Sequence, residues 1–364
     1  MNVRAATPAE IDAWDRAAVE SPNGNVHQSR AWAAYRGAFG WQPRFLVTDD
    51  GASILALVRP WPLIRSDGVY ISRGPLPELD PQRTLDRLVA VTGWLADRGA
   101  SVVASDAEIP AASGYPELLA GAGFDRIEEL QPSRHRLAID LTGVGDPADL
   151  MAGFSATTRN MIRAAERSDL RIVRFGPRPV PRDQDDGSSV ALRTELDTLY
   201  DLMRATADRR RFGLASRERF LDWSLRAFAS GLLAYIGGHD PDGVLVAGAT
   251  FHRHGRRWTY ASAADDPRFR KAYPGAVRQL VWEALRSAVA EGRAEFDLGG
   301  VDVAGARRRP EPGEPAYGML TFKESFGAHW IELSGAHERV ISPVRYGVGR
   351  ATGRLAAALG RVAR

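Results

Sequence analysis

The same order of elements is readable twice along this 364-residue chain, and that repeat constrains the fold more than any single motif. In the first half, helical spacing over 8–19 and 28–39 gives way to β-rich runs at 44–48, 53–60 and 68–72. A helix over 81–98, a strand at 101–105, a short helix over 114–123 and strands near 124–129 and 134–141 follow. The second half begins with helices over 147–154 and 157–168, a strand at 170–175, and helices over 190–208 and 216–229. Strands at 232–237, 244–251 and 257–263, a helix over 275–291 and a strand at 294–298 complete it. No residues match between the halves, so the repeat lies in element order alone. Two α/β units are expected, each with helices packed on a mixed sheet. The Pro/Gly/Asp-rich loop 176–188 reads as mobile. After 299 come a loop, a short helix holding Lys323, a strand at 330–333 and a basic helix beyond Pro343.

The absence of cysteine excludes disulfides, thiolate nucleophiles and zinc–thiolate sites. The seven histidines show no metal-ligand spacing, so no metal is expected. There is no P-loop, no HExxH and no GxSxG elbow. No run of eighteen apolar residues occurs and the N-terminus lacks a signal-peptide core, which points to the cytoplasm. Net charge is only +3, yet arginines cluster, as they do where an anionic partner binds.

Five stretches carry the candidate chemistry. In Gln28-Ser29-Arg30-Ala31-Trp32, Arg36 lies one helical turn beyond the tryptophan, placed to grip a phosphate with its planar fork. Trp32 and Tyr35 serve equally well as core aromatics. Tyr70-Ile71-Ser72-Arg73-Gly74-Pro75 leaves one strand, and Asp106 closes a later one, either as a binding group or as a cap. Arg159, Arg163 and Arg167 form one stripe of a helix, a solvated face or a polyanion contact. Arg209, Arg210 and Arg211 end a helix, with Arg217 after them, and Tyr260 is expected to end a strand. Finally, Phe296-Asp297-Leu298-Gly299-Gly300 precedes Phe322-Lys323; the double glycine permits close backbone approach but is no dinucleotide fingerprint. Lys323 is one of only two lysines among 48 basic side chains, the other being Lys271.

Taken in order, HQSRAWAAYR, YISRGPL, SATTRNMIRAAERSDLRIVRF, TADRRRF, WTYASAA, FDLGGV and LTFKESFG resemble the Fem family of aminoacyl-tRNA-dependent peptidyltransferases, which add amino acids to peptidoglycan stem peptides. The resemblance implies two tandem GNAT-like domains, the first over 1–145 and 328–364 and the second over 146–327, with no long coiled-coil arm. It implies a lipid- or UDP-linked muropeptide as acceptor, aminoacyl-tRNA as donor, and no cofactor, acetyl-CoA included. Carried over residue by residue, Arg36 stands where the family contacts precursor phosphates and Tyr260 where a tyrosine lines the precursor site. Tyr70, Arg73, Arg209 and Arg217 join them as substrate-binding candidates. Phe322 and Lys323 look like the pair at the tRNA-end site, with Lys323 facing the ester carbonyl. Asp106 looks like the Asp closing the first-domain strand, a candidate proton acceptor, although its ASDAEIP context departs from the family's Asp-Pro.

Two other readings remain open on the sequence: a transferase acting on a small molecule or peptide antibiotic, by either tRNA-dependent or GNAT chemistry, and a non-catalytic muropeptide- or RNA-binding protein. The C-terminal helix puts Val348, Leu355, Leu359 and Val362 on one stripe with arginines elsewhere, suited to docking on the first domain or to peripheral membrane contact.

Overall fold

The structure is a computed structural model that describes residues 1–131, 134–176, 189–301 and 308–362, with side chains placed up to Arg354 in the last helix. The expected mobile loop 176–188 falls, after Gly176, outside the described residues. The chain divides into two compact units, Met1–Arg134 with Glu332–Arg364, and His135–Ile331.

The first unit begins with β1 (Val3–Ala5), α1 (Pro8–Asp12), α2 (Trp14–Ala18) and α3 (Arg30–Ala38). Then come β2 (Gln42–Thr48), β3 (Ser53–Pro60), β4 (Asp67–Ile71), α4 (Pro81–Ala96), β5 (Ala100–Ser105), α5 (Tyr115–Gly121) and β6 (Asp125–Arg126). Helix α4 starts where its sequence dictates: Asp80 accepts the Gln82 N–H at 3.0 Å and Pro81 sits in the first turn. It buries Leu85, Leu88, Val91 and Leu95 at helical spacing and carries the chain from β4 to its parallel neighbour β5.

The second unit comprises β7 (Arg136–Asp140), a 3₁₀ turn at Pro147–Gly153, α6 (Ala156–Glu166), β8 (Arg171–Phe175), α7 (Ser189–Arg210) and α8 (Arg217–Ala229). It continues with β9 (Leu233–His239), β10 (Leu245–His254), β11 (Arg257–Asp265), α9 (Ala276–Ala290), β12 (Glu295–Asp297), α10 (Tyr317–Glu324) and β13 (His329–Ile331). The chain then re-enters the first unit as β14 (His337–Val340) and α11 (Pro343–Val362). Among the described residues no helix exceeds the 22 of α7, so none forms a coiled-coil arm.

The sheets run β1-β2-β3-β4-β5-β14-β6 and β13-β7-β12-β11-β10-β9-β8. Each mixes antiparallel pairs with one parallel pair, β4–β5 in the first and β11–β12 in the second. In the first, α4 covers a core of Ile54, Ala56, Val69, Ile71 and Val103; in the second, α9 packs Leu280, Val281, Ala284 and Leu285 onto Phe251 and Phe296.

The domain boundaries differ from the expected 1–145 and 146–327. Strand β7 pairs with β12 and β13, so Arg136–Asp140 and His329–Ile331 belong to the second sheet, and the second unit runs from His135 to Ile331. Strands β1 and β14 are additions to the reading from sequence. The stripe Arg159–Arg163–Arg167 is also more structural than its spacing suggests, because Arg159 turns back to donate to the Phe154 carbonyl.

The two units and their candidate active sites

In the first unit the candidate residues gather where β4 and β5 end side by side. Tyr70 pairs with Ala104 and Ile71 with Ser105, so the next residues on each strand leave the sheet together. Asp106 is only 1% exposed. It accepts the Tyr70 O–H at 2.8 Å and the Arg73 backbone N–H at 2.6 Å, and the Arg73 guanidinium lies 3.6 Å away. Arg73 also faces Glu108 at 3.7 Å. Its backbone holds φ +49°, a left-handed conformation that few non-glycine residues adopt. Burial raises the Asp106 carboxyl above the usual carboxylate range, with the Arg73 guanidinium opposing, and burial beside Asp106 lifts the Tyr70 phenol well above its ordinary value.

Gln28 and Gln131, whose roles the sequence reading did not identify, complete this cluster. Gln131 donates to the Tyr70 oxygen at 3.0 Å and to Ser72 Oγ at 3.2 Å. Gln28, fully buried, donates to the Ser72 carbonyl at 2.6 Å and accepts the Leu55 N–H at 2.8 Å. A Cβ on Gly74 would lie 2.7 Å from the Gln28 amide nitrogen, so glycine is required for this approach. The motifs HQSRAW and YISRGPL are thus one physical object. On α3, Ser29 caps the helix and Trp32 is buried, while the Arg36 guanidinium lies 5.3 Å from the Trp32 ring and 4.6 Å from that of Trp41.

In the second unit, the end of β12 makes a tight turn. Asp297 Oδ1 accepts the Gly299 N–H at 2.7 Å, and Gly299 takes φ +70°. A Cβ there would stand 3.2 Å from the Tyr260 carbonyl oxygen and 3.7 Å from Lys323 Nζ. The turn aims the Gly300 carbonyl at Lys323, which donates to it from α10 and is 4% exposed. Phe322 packs on Phe326 with ring centroids 5.4 Å apart, and the Arg278 guanidinium lies 5.0 Å from the Phe322 ring. Arg278 donates to Thr158 Oγ1 at 3.2 Å, Thr158 to Ser325 Oγ at 2.8 Å, and Ser325 to the Phe322 carbonyl at 2.6 Å. This chain of bonds fixes the end of α10, and burial lowers the Arg278 pKa.

Tyr260 lies within β11 rather than at its end, where β10 and β11 change register: Thr250 faces Ser262 and Phe251 faces Tyr260, leaving Ala261 as the extra residue of a bulge. The structure brings the Tyr260 carbonyl and Lys323 Nζ together around Gly299, with Phe322 preceding Lys323 on α10. It does not bring Arg209 or Arg217 there. Arg217 is tied to Asp197 at 2.9 Å and to Asp201, with its guanidinium 4.8 Å from the Tyr200 ring; Arg209 is exposed at the end of α7.

The acetyltransferase (GNAT) domain family matches residues 153–309, inside the second unit. The chain is a mixed α/β protein of tandem GNAT-type fold. Within that class it is FemX-like: the crystal structure of FemX superposes with a TM-score of 0.75 at 18% identity, covering 96% of this chain and 99% of that one. A UDP-N-acetylmuramoylpentapeptide-lysine N(6)-alanyltransferase of Weissella viridescens is 22% identical over 311 residues, 81% of this chain and 85% of that protein. The C-terminal domain of a putative lysylphosphatidylglycerol synthetase from Agrobacterium fabrum shares the fold more loosely, with a TM-score of 0.52 and 13% identity over 95% of this chain and 96% of that one.

Proposed function

We propose that this protein transfers an amino acid from aminoacyl-tRNA to an amine on the stem peptide of a peptidoglycan precursor. The observation that carries the reading is Lys323, a buried ammonium held on the Gly299–Gly300 turn beside Phe322 in a GNAT-type unit. The activity for which the Weissella viridescens relative is named supports the acceptor class.

The acceptor amine attacks the ester carbonyl carbon of the aminoacyl-tRNA. The C–N bond forms, the carbonyl oxygen becomes an oxyanion, and the C–O bond to the terminal ribose then breaks. The ribose oxygen leaves with the proton that the amine sheds. Lys323 stabilises the oxyanion as a fixed cation in a site of low exposure. Because the ester is already activated, positioning supplies much of the remaining rate. Asp106, buried and holding both Tyr70 and Arg73, acts as a positioning group for the loop that carries Arg73. Arg36 and Arg209 are the phosphate contacts of this reading; Arg217 is already neutralised by two aspartates. Tyr260 lines the acceptor site. The protein would work in the cytoplasm, meeting the inner face of the cell membrane peripherally where the acceptor is lipid-linked.

Purified protein incubated with labelled aminoacyl-tRNAs and UDP-linked muramoylpentapeptide is expected to move label from one tRNA to one stem-peptide amine. Label delivered only to a small molecule, or to no acceptor at all, would replace this reading with a small-molecule transferase or a binding protein respectively.

A further inference from the structure

We infer that the outward face of α11, together with the loop joining β3 and β4, docks this protein on an anionic lipid bilayer. This deepens the peripheral placement given above and rests on it only for the choice of membrane face.

Where its side chains are described, α11 turns Gly349, Gly353 and Tyr346 inward. A Cβ on Gly349 would lie 2.5 Å from the Trp61 ring and one on Gly353 3.7 Å from it, while the Tyr346 ring sits 6.2 Å from Trp61. Trp61 is itself fixed, donating Nε1–H to Ser101 Oγ at 2.9 Å and lying against Gly68. The expected docking of this helix on the first unit therefore exists, but it uses backbone and aromatic contact.

Val344 and Val348 point the other way. Val344 and Val348, one turn apart, are 78% and 43% exposed. Arg345, Arg350 and Arg354 are exposed around them, and from Pro343 to Arg364 the sequence has five arginines and no acidic residue. Two residues from Trp61, Leu63 is 89% exposed with φ +66°, beside the exposed Arg65. A leucine held in the left-handed region costs energy, and here it presents an apolar side chain to solvent.

Valines flanked by arginines, with a neighbouring leucine tip, match the headgroup–acyl boundary of an anionic leaflet. RNA would engage the arginines and leave Val344, Val348 and Leu63 in water. A second copy of the same face would set arginines against arginines.

Co-sedimentation with vesicles of phosphatidylglycerol and phosphatidylcholine tests this. The full chain should bind those vesicles, bind pure phosphatidylcholine far less, and release in high salt. Val344→Glu with Val348→Glu should weaken binding by about tenfold or more, with the melting temperature unchanged. Binding that ignores lipid charge, or survives both glutamates, overturns the proposal. So does a tRNA affinity that falls in the same variant, or a dimer in solution that the glutamates dissolve. Transfer to the soluble UDP-linked acceptor should be unaffected by this variant. A protein that transfers without binding vesicles overturns the docking alone; one that binds without transferring overturns the reaction alone.

Discussion

Lys323→Met is expected to cut aminoacyl transfer about a hundredfold or more, the scale seen when one oxyanion-stabilising donor is removed, while the protein stays folded. Methionine keeps an unbranched stem of similar volume, so the packing of α10 survives. What is lost is the ammonium, and with it one donor to the Gly300 carbonyl. That loss should cost about 1 kcal/mol of stability, a shift of a few degrees in melting temperature for a unit of this size. Single-turnover transfer and a thermal melt on the same preparation separate the two effects. If activity and folding vanish together, the catalytic assignment fails. Lys323→Arg should also be poor. The point charge would become a planar fork in a space where even a Cβ on Gly299 would come within 3.7 Å of the ammonium. That constraint gives a physical reason for lysine in a chain whose other basic residues, Lys271 apart, are all arginine.

Asp106→Ala should act mainly on stability. It strands the Tyr70 hydroxyl, the Arg73 backbone N–H and a nearly buried guanidinium without their shared acceptor. Removing one partner of such a buried pair costs about 3–5 kcal/mol, which urea unfolding would read directly. Asp106→Asn keeps an acceptor for one donor and should lose less. The pH dependence has a definite sign. The native carboxyl is raised above its unfolded value, so its contribution is fully present below the unfolded pKa and declines as pH rises through the folded one. Asp106→Asn, neutral throughout, should lack that decline. If Asp106→Ala leaves stability intact yet abolishes transfer, Asp106 acts on the acceptor itself and the positioning assignment is wrong.

Much of this architecture was legible from local signals. The long helices and central strands have apolar periodicity and clear stop signals, and Pro81 after Asp80 marks the start of α4 as well as any sequence can. The misses share a cause, which is that they are set by partners far along the chain. Strand β14, His337-Glu-Arg-Val, has no apolar alternation and is a strand because β5 and β6 flank it. Strand β7 reads as a strand from sequence, but only its pairing with β12 says which sheet it joins.

The candidate site divides along the same line. Lys323, Phe322, Asp106, Tyr70 and Arg73 stood out by type and position. Gln28, Gln131, Thr158 and Arg278 did not, because their bonds span 44 residues from Gln28 to Ser72 and 167 from Thr158 to Ser325. Arg217 does carry its signal in the sequence. Asp197 and Asp201 lie one turn apart on α7, a pair that a charge-pattern reading could have matched to a nearby arginine.

The route of the chain also sets an order of assembly. Strand β14 occupies the place between β5 and β6, yet it is made after the whole second unit. A nascent chain that has reached Ile331 holds every residue of the second sheet, while the first still has an open seam along β5. Vectorial synthesis therefore favours completion of the later-made unit first, with the amino-terminal one waiting for its last strand. Until then β5, buried along its whole length in the finished protein, is an unprotected edge of the kind that invites aggregation.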